Sequence, residues 1–344
     1  MLNEDKNNNY DTLVIIPNYN HLDLLKKCLQ CLGEQSVKDF SVIIVDNGSD
    51  KQTTDYITDY CDKNNNCISL LLDTNTGFAH ASNEGFRYAI AHGYKYSILL
   101  NNDCYVEKDF VEQMRNAITY DDKLFAVNPL MISEKNRELV DDFGDSYNIL
   151  GFAFQNKVGH KVSTIIKDEV VFSACGGASI YRNDILLEIG LLDENFFCYL
   201  EDIDLSYRAR IYGYKIKTCK ASRCYHVGSA TSGSRYNDFK VSISSRNNIY
   251  LIYKNMPILQ IIINIIPLLI GTTIKLLFFI KKGFGKAYIK GIVEGFKNIK
   301  KIDKIYSNCN VEANFRRAFT FGKIEFYLIK NTFRYFIEFI KRHI

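Results

Sequence analysis

A chain of 344 residues that is 47% hydrophobic and 24% charged can bury a full core, which excludes wholesale disorder and allows one large domain plus an appendage. The net charge of +4 hides a split, because residues 251–344 hold 17 Lys+Arg against 5 Asp+Glu while the first 250 hold 26 against 34. An acidic body joined to a basic tail points that tail at an anionic partner, nucleic acid or a membrane surface.

In chain order, the polar start Met1 to Asp11 has no apolar h-region, so no signal peptide is expected and the catalytic part is expected in the cytoplasm. Thr12 to Pro17 is an apolar, β-branched run that reads as a buried parallel strand. Leu22, Leu25, Cys28, Leu29 and Leu32 follow at helical spacing, then a strand at Phe40 to Val45, a helix near Thr53 to Cys61 and a strand at Ile68 to Leu72. The order β-α-β-α-β predicts a parallel sheet with helical crossovers, whose ligands gather beyond the carboxyl ends of the strands. No G-x-G-x-x-G or Walker A pattern follows the first strand. Ten cysteines lack a secreted spacing and are expected as buried hydrophobes or free thiols. The C-x-x-C of Cys28 and Cys31 has no second pair or His beside it.

Several polar stretches fall at the expected strand ends. Asp46 is either a turn residue or an acceptor for a ribose or base. Gly77, Ala79, Ala81, Ser82 and Gly85 permit close approach of a ligand or of another helix. A strand at Tyr96 to Leu100 delivers Asn101-Asn102-Asp103, a local turn or a seat for a hard divalent cation. Further strands are expected at Phe125 to Leu130, Ser179 to Arg182 and Tyr214 to Thr218, with loop chemistry over Asp141 to Gly159. Glu201, Asp202 and Asp204 lie among Phe196, Phe197, Tyr199, Leu200, Ile203 and Leu205. They are either the acidic first turn of a helix or a half-buried general base. His226 follows at a strand end, as a structural hydrogen-bonder or a ligand.

In this order the stretches Val14 to Asn20, Val45 to Asp50, Asn75 to Ala79, Leu99 to Asp103, Cys175 to Ala178, Phe196 to Arg208, His226 to Ser229 and Arg246-Asn247 resemble family 2 glycosyltransferases, the inverting enzymes of the GT-A fold. Within that family the first 250 residues look like the bacterial rhamnosyltransferase-type members that build surface polysaccharides. The resemblance implies an α/β fold with a mostly parallel central sheet, its nucleotide-sugar half at about 10–105 and its acceptor half at about 106–250. It implies that Pro17, Asn18, Asn20 and Asp46 meet the nucleoside, and that Asn75, Gly77, Asn83, Asn101 and Asn102 lie by the nucleotide-sugar. It places Gly176, Gly177 and Arg208 on the acceptor side and a Mg2+ or Mn2+ cofactor on Asp103 and His226. Asp202 is then the general base, flanked by Glu201 and Asp204. The donor is expected to be a UDP-sugar or of the dTDP-rhamnose type, and the acceptor a glycan or a lipid-linked glycan. Asn101 departs from the D-x-D pattern at its first position, which is the one hint of an alternative, a catalytically silent membrane-associated protein of the same fold.

Residues 251–344 read as a basic, helical, membrane-associating region. The run from Ile258 to Ile280 has the length of a bilayer crossing, interrupted by Gln260, Asn264, Pro267 and Lys275. A crossing would carry a tail with 15 Lys+Arg and 5 Asp+Glu outside, against the positive-inside rule. The expectation is therefore an interfacial or re-entrant helix on the cytoplasmic face of the membrane. Phe319, Phe326, Ile329, Phe333, Phe336 and Ile340 form an apolar stripe, offset from Lys323, Lys330, Arg334 and Lys341. It belongs to a membrane-surface helix or to one packed on the catalytic body. The partner expected is an anionic membrane surface and not nucleic acid, because the tail is too apolar for a basic arm; oligomerisation is left open.

Overall fold

The computed structural model describes residues 10–228, 236–305 and 311–343, without the side chains of 311–319 and 341–343. The N-terminal segment 1–9, Ser229, and the side chains of Phe319 and Lys341 lie outside the described residues. The chain begins as expected with β1 (Thr12–Asn18), α1 (Leu22–Gly33), β2 (Ser41–Asn47), α2 (Lys51–Lys63), β3 (Cys67–Leu72), α3 (Phe78–Ala91) and β4 (Tyr96–Leu100). These four strands are parallel, with Asn18 opposite Asp46 and Ile15 opposite Leu99. Side chains alternate between the two faces of the sheet, as a period of two requires. Val14, Ile16 and Ile44 pack with Leu25, Leu29 and Ile57 on one face, and Leu13, Ile15 and Ile43 pack with Ala81 and Phe86 on the other.

The second part of the sheet domain adds β5 (Cys104–Val106), α4 (Phe110–Ile118), β6 (Leu124–Ser133), β7 (Val140–Asp142), β8 (Asp145–Tyr147), β9 (Ala153–Gln155), β10 (Ala178–Arg182), α5 (Asn183–Ile189), α6 (Glu201–Ile211) and β11 (Lys215–His226). The strand order is β3-β2-β1-β4-β10-β6-β11-β5, with β7 paired to β6. β10 runs antiparallel to both β4 and β6, while β11 runs parallel to β6. Order reverses between β1 and β4, so the crevice beyond Asn18 and Leu100 is the topological switch point at which such sheets bind ligands. β11 is longer than the stretch expected from Tyr214 to Thr218, because pairing with β6 carries it past a bulge between Cys219 and Arg223 as far as His226.

Three of the last four helices, α7 (Asp238–Asn255), α8 (Ile258–Lys281) and α9 (Gly285–Asn298), are joined by α10 (Val311–His343). The domain boundary expected at 250 falls inside α7. Tyr250 and Leu251 share a core with Tyr147, Phe196, Tyr207, Ile324 and Leu328, so the basic region is fastened to the sheet domain. Gln260 and Asn264, which break the apolar run of α8, turn inward and donate to Glu325 of α10 at 2.7–3.0 Å. Lys275 donates to the carbonyl of Gly151 at 2.8 Å. Gly271 lies so close to the Leu150 carbonyl that any side chain there would collide with it. The opposite side of α8 leaves twelve large apolar residues exposed, from Ile258 to Ile280.

Candidate active site

At the switch point the strand ends are joined by side chains. Asp46 is fully buried and accepts from Asn18 Nδ2 at 2.9 Å, from the Ser49 backbone N–H at 2.9 Å and from the Ser49 hydroxyl at 2.5 Å. Asn18 Oδ1 in turn accepts from Asn102 Nδ2 at 2.7 Å. A single hydrogen-bonded line therefore runs from β2 through β1 to the turn after β4. Pro17 and Asn20 stand half-buried above it, with the Asn20 backbone N–H donating to Ser49 Oγ at 2.7 Å. Asn47 holds the next loop, donating to Asn75 Oδ1 at 3.1 Å and to the Gly77 carbonyl at 3.2 Å. Gly77 sits at φ +93°, and a Cβ there would stand 2.5 Å from the Phe197 ring. Only glycine combines that backbone with that approach.

The turn after β4 faces His226. Its Nε2 lies 3.5 Å from Asp103 Oδ2, and its Nδ1 is 2.7 Å from Asp141 Oδ2. Burial alone would hold the ring neutral, but the carboxylates of Asp103 and Asp141 outweigh it and raise the His226 pKa well above its ordinary value. The ring thus carries its proton between two carboxylates, where a cation would be equally stabilised. With Asp141 holding Nδ1–H, Nε2 would coordinate a cation once the cation displaced its proton, the arrangement by which carboxylates orient metal-bound imidazoles. Asp103, Cys104 and His226 offer ligand atoms within 4.8 Å of one another. Bonding with Cys224 and burial keep the Cys104 thiol protonated, so Asp103 and His226 are the pair that fits a divalent ion. Asn101 uses its backbone N–H to reach the Gly177 carbonyl at 2.8 Å, and its side chain stands 3.6 Å from the Cβ position of Gly177.

The Gly176-Gly177 turn connects that centre to α6. Asp202 is half-buried at the start of the helix, where Oδ2 accepts from the Gly176 backbone N–H at 3.0 Å and Oδ1 from Ile203 N–H at 2.8 Å. Burial raises its pKa despite those two bonds. Glu201 is buried, its Oε2 has no hydrogen-bond partner, and burial with the nearby Asp202 and Asp204 pushes its carboxyl well up. Of the two alternatives drawn from the sequence, the acidic first turn is seen directly, because Asp202 accepts the free N–H of Ile203. The preceding backbone is strained, with Phe197 at φ 63°, Tyr199 at 69° and Leu200 at 70°. Each such residue costs ~1–3 kcal/mol.

Three expected site residues stand elsewhere. Asp204 is fully buried and accepts from Arg208 Nε at 3.0 Å, Lys254 Nζ at 3.1 Å and Asn255 Nδ2 at 2.7 Å. Burial would raise its pKa, but Lys254 and Arg208 hold it below the usual range. Arg208 spends its guanidinium on that carboxylate and on the carbonyls of Ile189, Gly190 and Leu191 at 2.5–2.7 Å, so it is placed inside the fold and not on the acceptor side of the cleft. Asn83 brackets Leu192 through both its N–H and its carbonyl and donates to Glu194 at 2.9 Å. It fastens the segment before α6 rather than reaching the loop at Asn75. The sequence reading also missed Asp141, which holds His226, and the buried pair Asp142 and Asp145. Their signal was three acids in five positions within a stretch taken as loop. The described cysteines are all free, and burial raises the Cys28 thiol well above its ordinary value, as expected of a core residue.

The sheet order and the line of strand-end side chains at the switch point define a mixed α/β fold of the GT-A type. The sequence profile of Glycosyl transferase family 2 matches residues 13–190, and the chain belongs to that family. The match ends before Asp202 and His226. Among solved structures, GalNAc-T7, crystallised with UDP, GalNAc and Mn2+, is similar at a TM-score of 0.57 with 15% identity, over 71% of this chain and 47% of that one. TarS of S. aureus is similar at a TM-score of 0.49 with 18% identity, over 72% of this chain and 40% of that one. The chain thus spans less than half the length of either structure. No curated protein matches it in sequence.

Proposed function

We propose that this protein transfers a hexosyl or deoxyhexosyl unit, with inversion, from a nucleoside-diphospho-sugar to a hydroxyl of a glycan or lipid-linked acceptor in surface polysaccharide synthesis. The observation that carries this reading is the shared segment Cys175–Ala178. Its Gly176 N–H holds Asp202 at 3.0 Å while its Gly177 carbonyl holds the Asn101 turn at 2.8 Å. This supports a base at Asp202 and an ion-binding turn at Asn101–Asp103 on either side of one short backbone.

The Asp202 carboxylate takes the acceptor hydroxyl proton as the oxygen bonds to the anomeric carbon, and the bond from that carbon to the diphosphate breaks with its electron pair going to the β-phosphate. Attack from the face opposite the leaving group inverts the centre. Asp103 and His226 would hold a Mg2+ or Mn2+ ion, which offsets the charge developing on the diphosphate. GalNAc-T7 was crystallised with Mn2+, which supports this reading.

A panel of UDP- and dTDP-sugars, assayed with Mn2+, Mg2+ or EDTA for release of the nucleoside diphosphate, tests the proposal. Release with at least one donor, dependent on the divalent ion and lost in Asp103→Ala, is expected. Binding without turnover across the panel would favour a silent nucleotide-sugar-binding protein.

We further propose that α8, α9 and α10 seat the protein on the cytoplasmic face of an anionic membrane. α8 is 24 residues long and apolar enough to cross a bilayer. Its inward Gln260, Asn264 and Lys275 are satisfied by the protein, which supports a helix lying in the interface. Phe326 and Phe333 of α10 are 66% and 68% exposed, and Ile289, Val293 and Phe296 of α9 are exposed as well. Exposed Lys281, Lys282, Lys286, Lys297, Lys300 and Lys301 accompany them. Sedimentation of the full chain with phosphatidylglycerol vesicles is expected, and Phe326→Glu with Phe333→Glu should release it. A wild-type chain left in the supernatant at low salt would overturn the attachment.

A further inference from the structure

The backbone leading into α6 is held by a distant element. At Phe197, with φ 63° and ψ −62°, the Cys198 N–H reaches back to the Phe196 carbonyl at 2.7 Å and closes a three-residue turn. Tyr199 and Leu200 then follow in the left-handed region. Non-glycine residues keep such angles only where the surroundings over-determine them, and Leu200 supplies no side-chain cap to the helix.

The constraint comes from α7. Asn247 is fully buried, and its Nδ2 donates to the carbonyls of Phe196 at 2.9 Å, Cys198 at 2.9 Å and Tyr199 at 2.7 Å. Its Oδ1 accepts from Arg246 Nε at 3.0 Å and Nη2 at 2.9 Å, which fixes the orientation of the amide. Arg246 Nη2 also donates to the carbonyls of Asn195 at 3.1 Å and Phe196 at 2.9 Å. At the other end, the Phe197 carbonyl accepts from Ala79 N–H at 3.1 Å, and its ring covers Gly77. One buried amide thus governs both the donor-side loop and the start of the helix that carries Asp202.

We infer that Asn247, oriented by Arg246, is a positioning residue for the transfer reaction, holding Phe197–Leu200 in the conformation that aims Asp202 at the acceptor and closes Phe197 over Gly77. The inference rests on Asp202 as the base. All the carbonyls that Asn247 engages fall within the six residues before Asp202. A general packing role would not confine them there.

The chain contains no Trp, so Tyr199→Trp supplies a single fluorescent reporter in the held segment. In that background Asn247→Leu keeps the volume and removes the donor. Its emission should move to the red, with far-UV circular dichroism unchanged. kcat with the active donor should fall on the order of 100-fold, while the donor KM stays within about threefold. Asn247→Gln, which restores an N–H donor, should recover a substantial part of kcat. Should Asn247→Leu fail to fold, Arg246→Ala, which frees only the neighbouring carbonyls and the amide, should give the same red shift with a smaller loss of kcat. Asp202→Asn should lower kcat at least 100-fold and leave the emission where it was. Unchanged emission and kcat in Asn247→Leu, or an Asn247→Gln as inactive as Asn247→Leu, would overturn the positioning role. Undiminished kcat in Asp202→Asn would instead remove the base reading, while the emission still decides whether Asn247 holds the segment.

Discussion

Helices α6 and α8 both carry polar side chains among apolar ones, and they treat them in opposite ways. In α8 the inward polar groups are met, Gln260 and Asn264 by Glu325 and Lys275 by Gly151. What is left unsatisfied is the apolar outer face. In α6 the inward Asp204 is met by Arg208, Lys254 and Asn255, and what is left unsatisfied is polar, Glu201 Oε2 beside Asp202. Each helix shows its use in the surface that folding leaves uncompensated, because buried polar groups are otherwise almost always paired.

The comparison breaks most sharply at Asp202. Asp202→Asn should lower kcat about 100- to 10,000-fold and leave nucleoside diphosphate affinity nearly unchanged, read by release assays and by thermal shift. Because burial raises the Asp202 pKa, the acid limb of the wild-type pH–rate profile should lie above the ordinary carboxylate range. The folded-state pKa is raised, so ionising Asp202 also costs stability as pH rises through it. Asp202→Asn should therefore gain stability relative to wild type on the alkaline side of that limb.

Two residues on, the same substitution type should act on the fold. Asp204→Ala takes the carboxylate from buried Arg208 and leaves Lys254 with that of Asp193 alone, and removing one partner of such a pair costs ~3–5 kcal/mol. Denaturant titration of the full chain measures it. The sign with pH is reversed, since Asp204 has a depressed pKa. Its contribution is present above the unfolded-state value and is lost as pH falls through the folded one. Equal stability losses in Asp202→Asn and Asp204→Ala at pH 8 would erase the distinction between the two carboxylates.

The donor half was legible because its features are local. Each strand from Thr12 to Leu100 ends in its own polar loop, so Asn18, Asp46 and Asn102 could be placed from sequence order, and the structure joins them by hydrogen bonds. The acceptor half was less so. Arg208 and Asn83 look like site residues in the linear chain, but each satisfies carbonyls brought to it by packing. Asp141 and Asn247 act on residues 85 and about 50 positions away, a pairing that no periodicity encodes. Likewise, Gln260 and Asn264 read as interruptions of an apolar run until Glu325 is seen opposite them.

On the α8 side, Glu325 plays the part that Lys254 and Arg208 play for Asp204. Glu325→Ala should leave the Gln260 amide buried without its acceptor and Asn264 with the Gln260 carbonyl alone, costing ~1–3 kcal/mol. The loss should register as faster proteolysis within α8, with kcat little changed. A matching loss of kcat would mean that α8 and α6 are coupled and that the two surfaces are not independent.

The smallest effects belong to the basic fringe of the apolar face. Lys297, Lys300 and Lys301 are exposed at the end of α9 and in the turn after it. A basic residue near an anionic bilayer contributes ~1 kcal/mol, so each Lys→Gln change should weaken vesicle binding by about fivefold at low ionic strength. The triple variant should lose more, and the differences should shrink as added salt shortens the screening length. Phe333→Glu acts instead on the area withdrawn from water, so its effect should persist at high salt. If the lysine and phenylalanine variants respond alike to salt, the outer face of α8 and α10 is not seated in lipid, and the apolar surface that α8 leaves open serves contact with another protein surface.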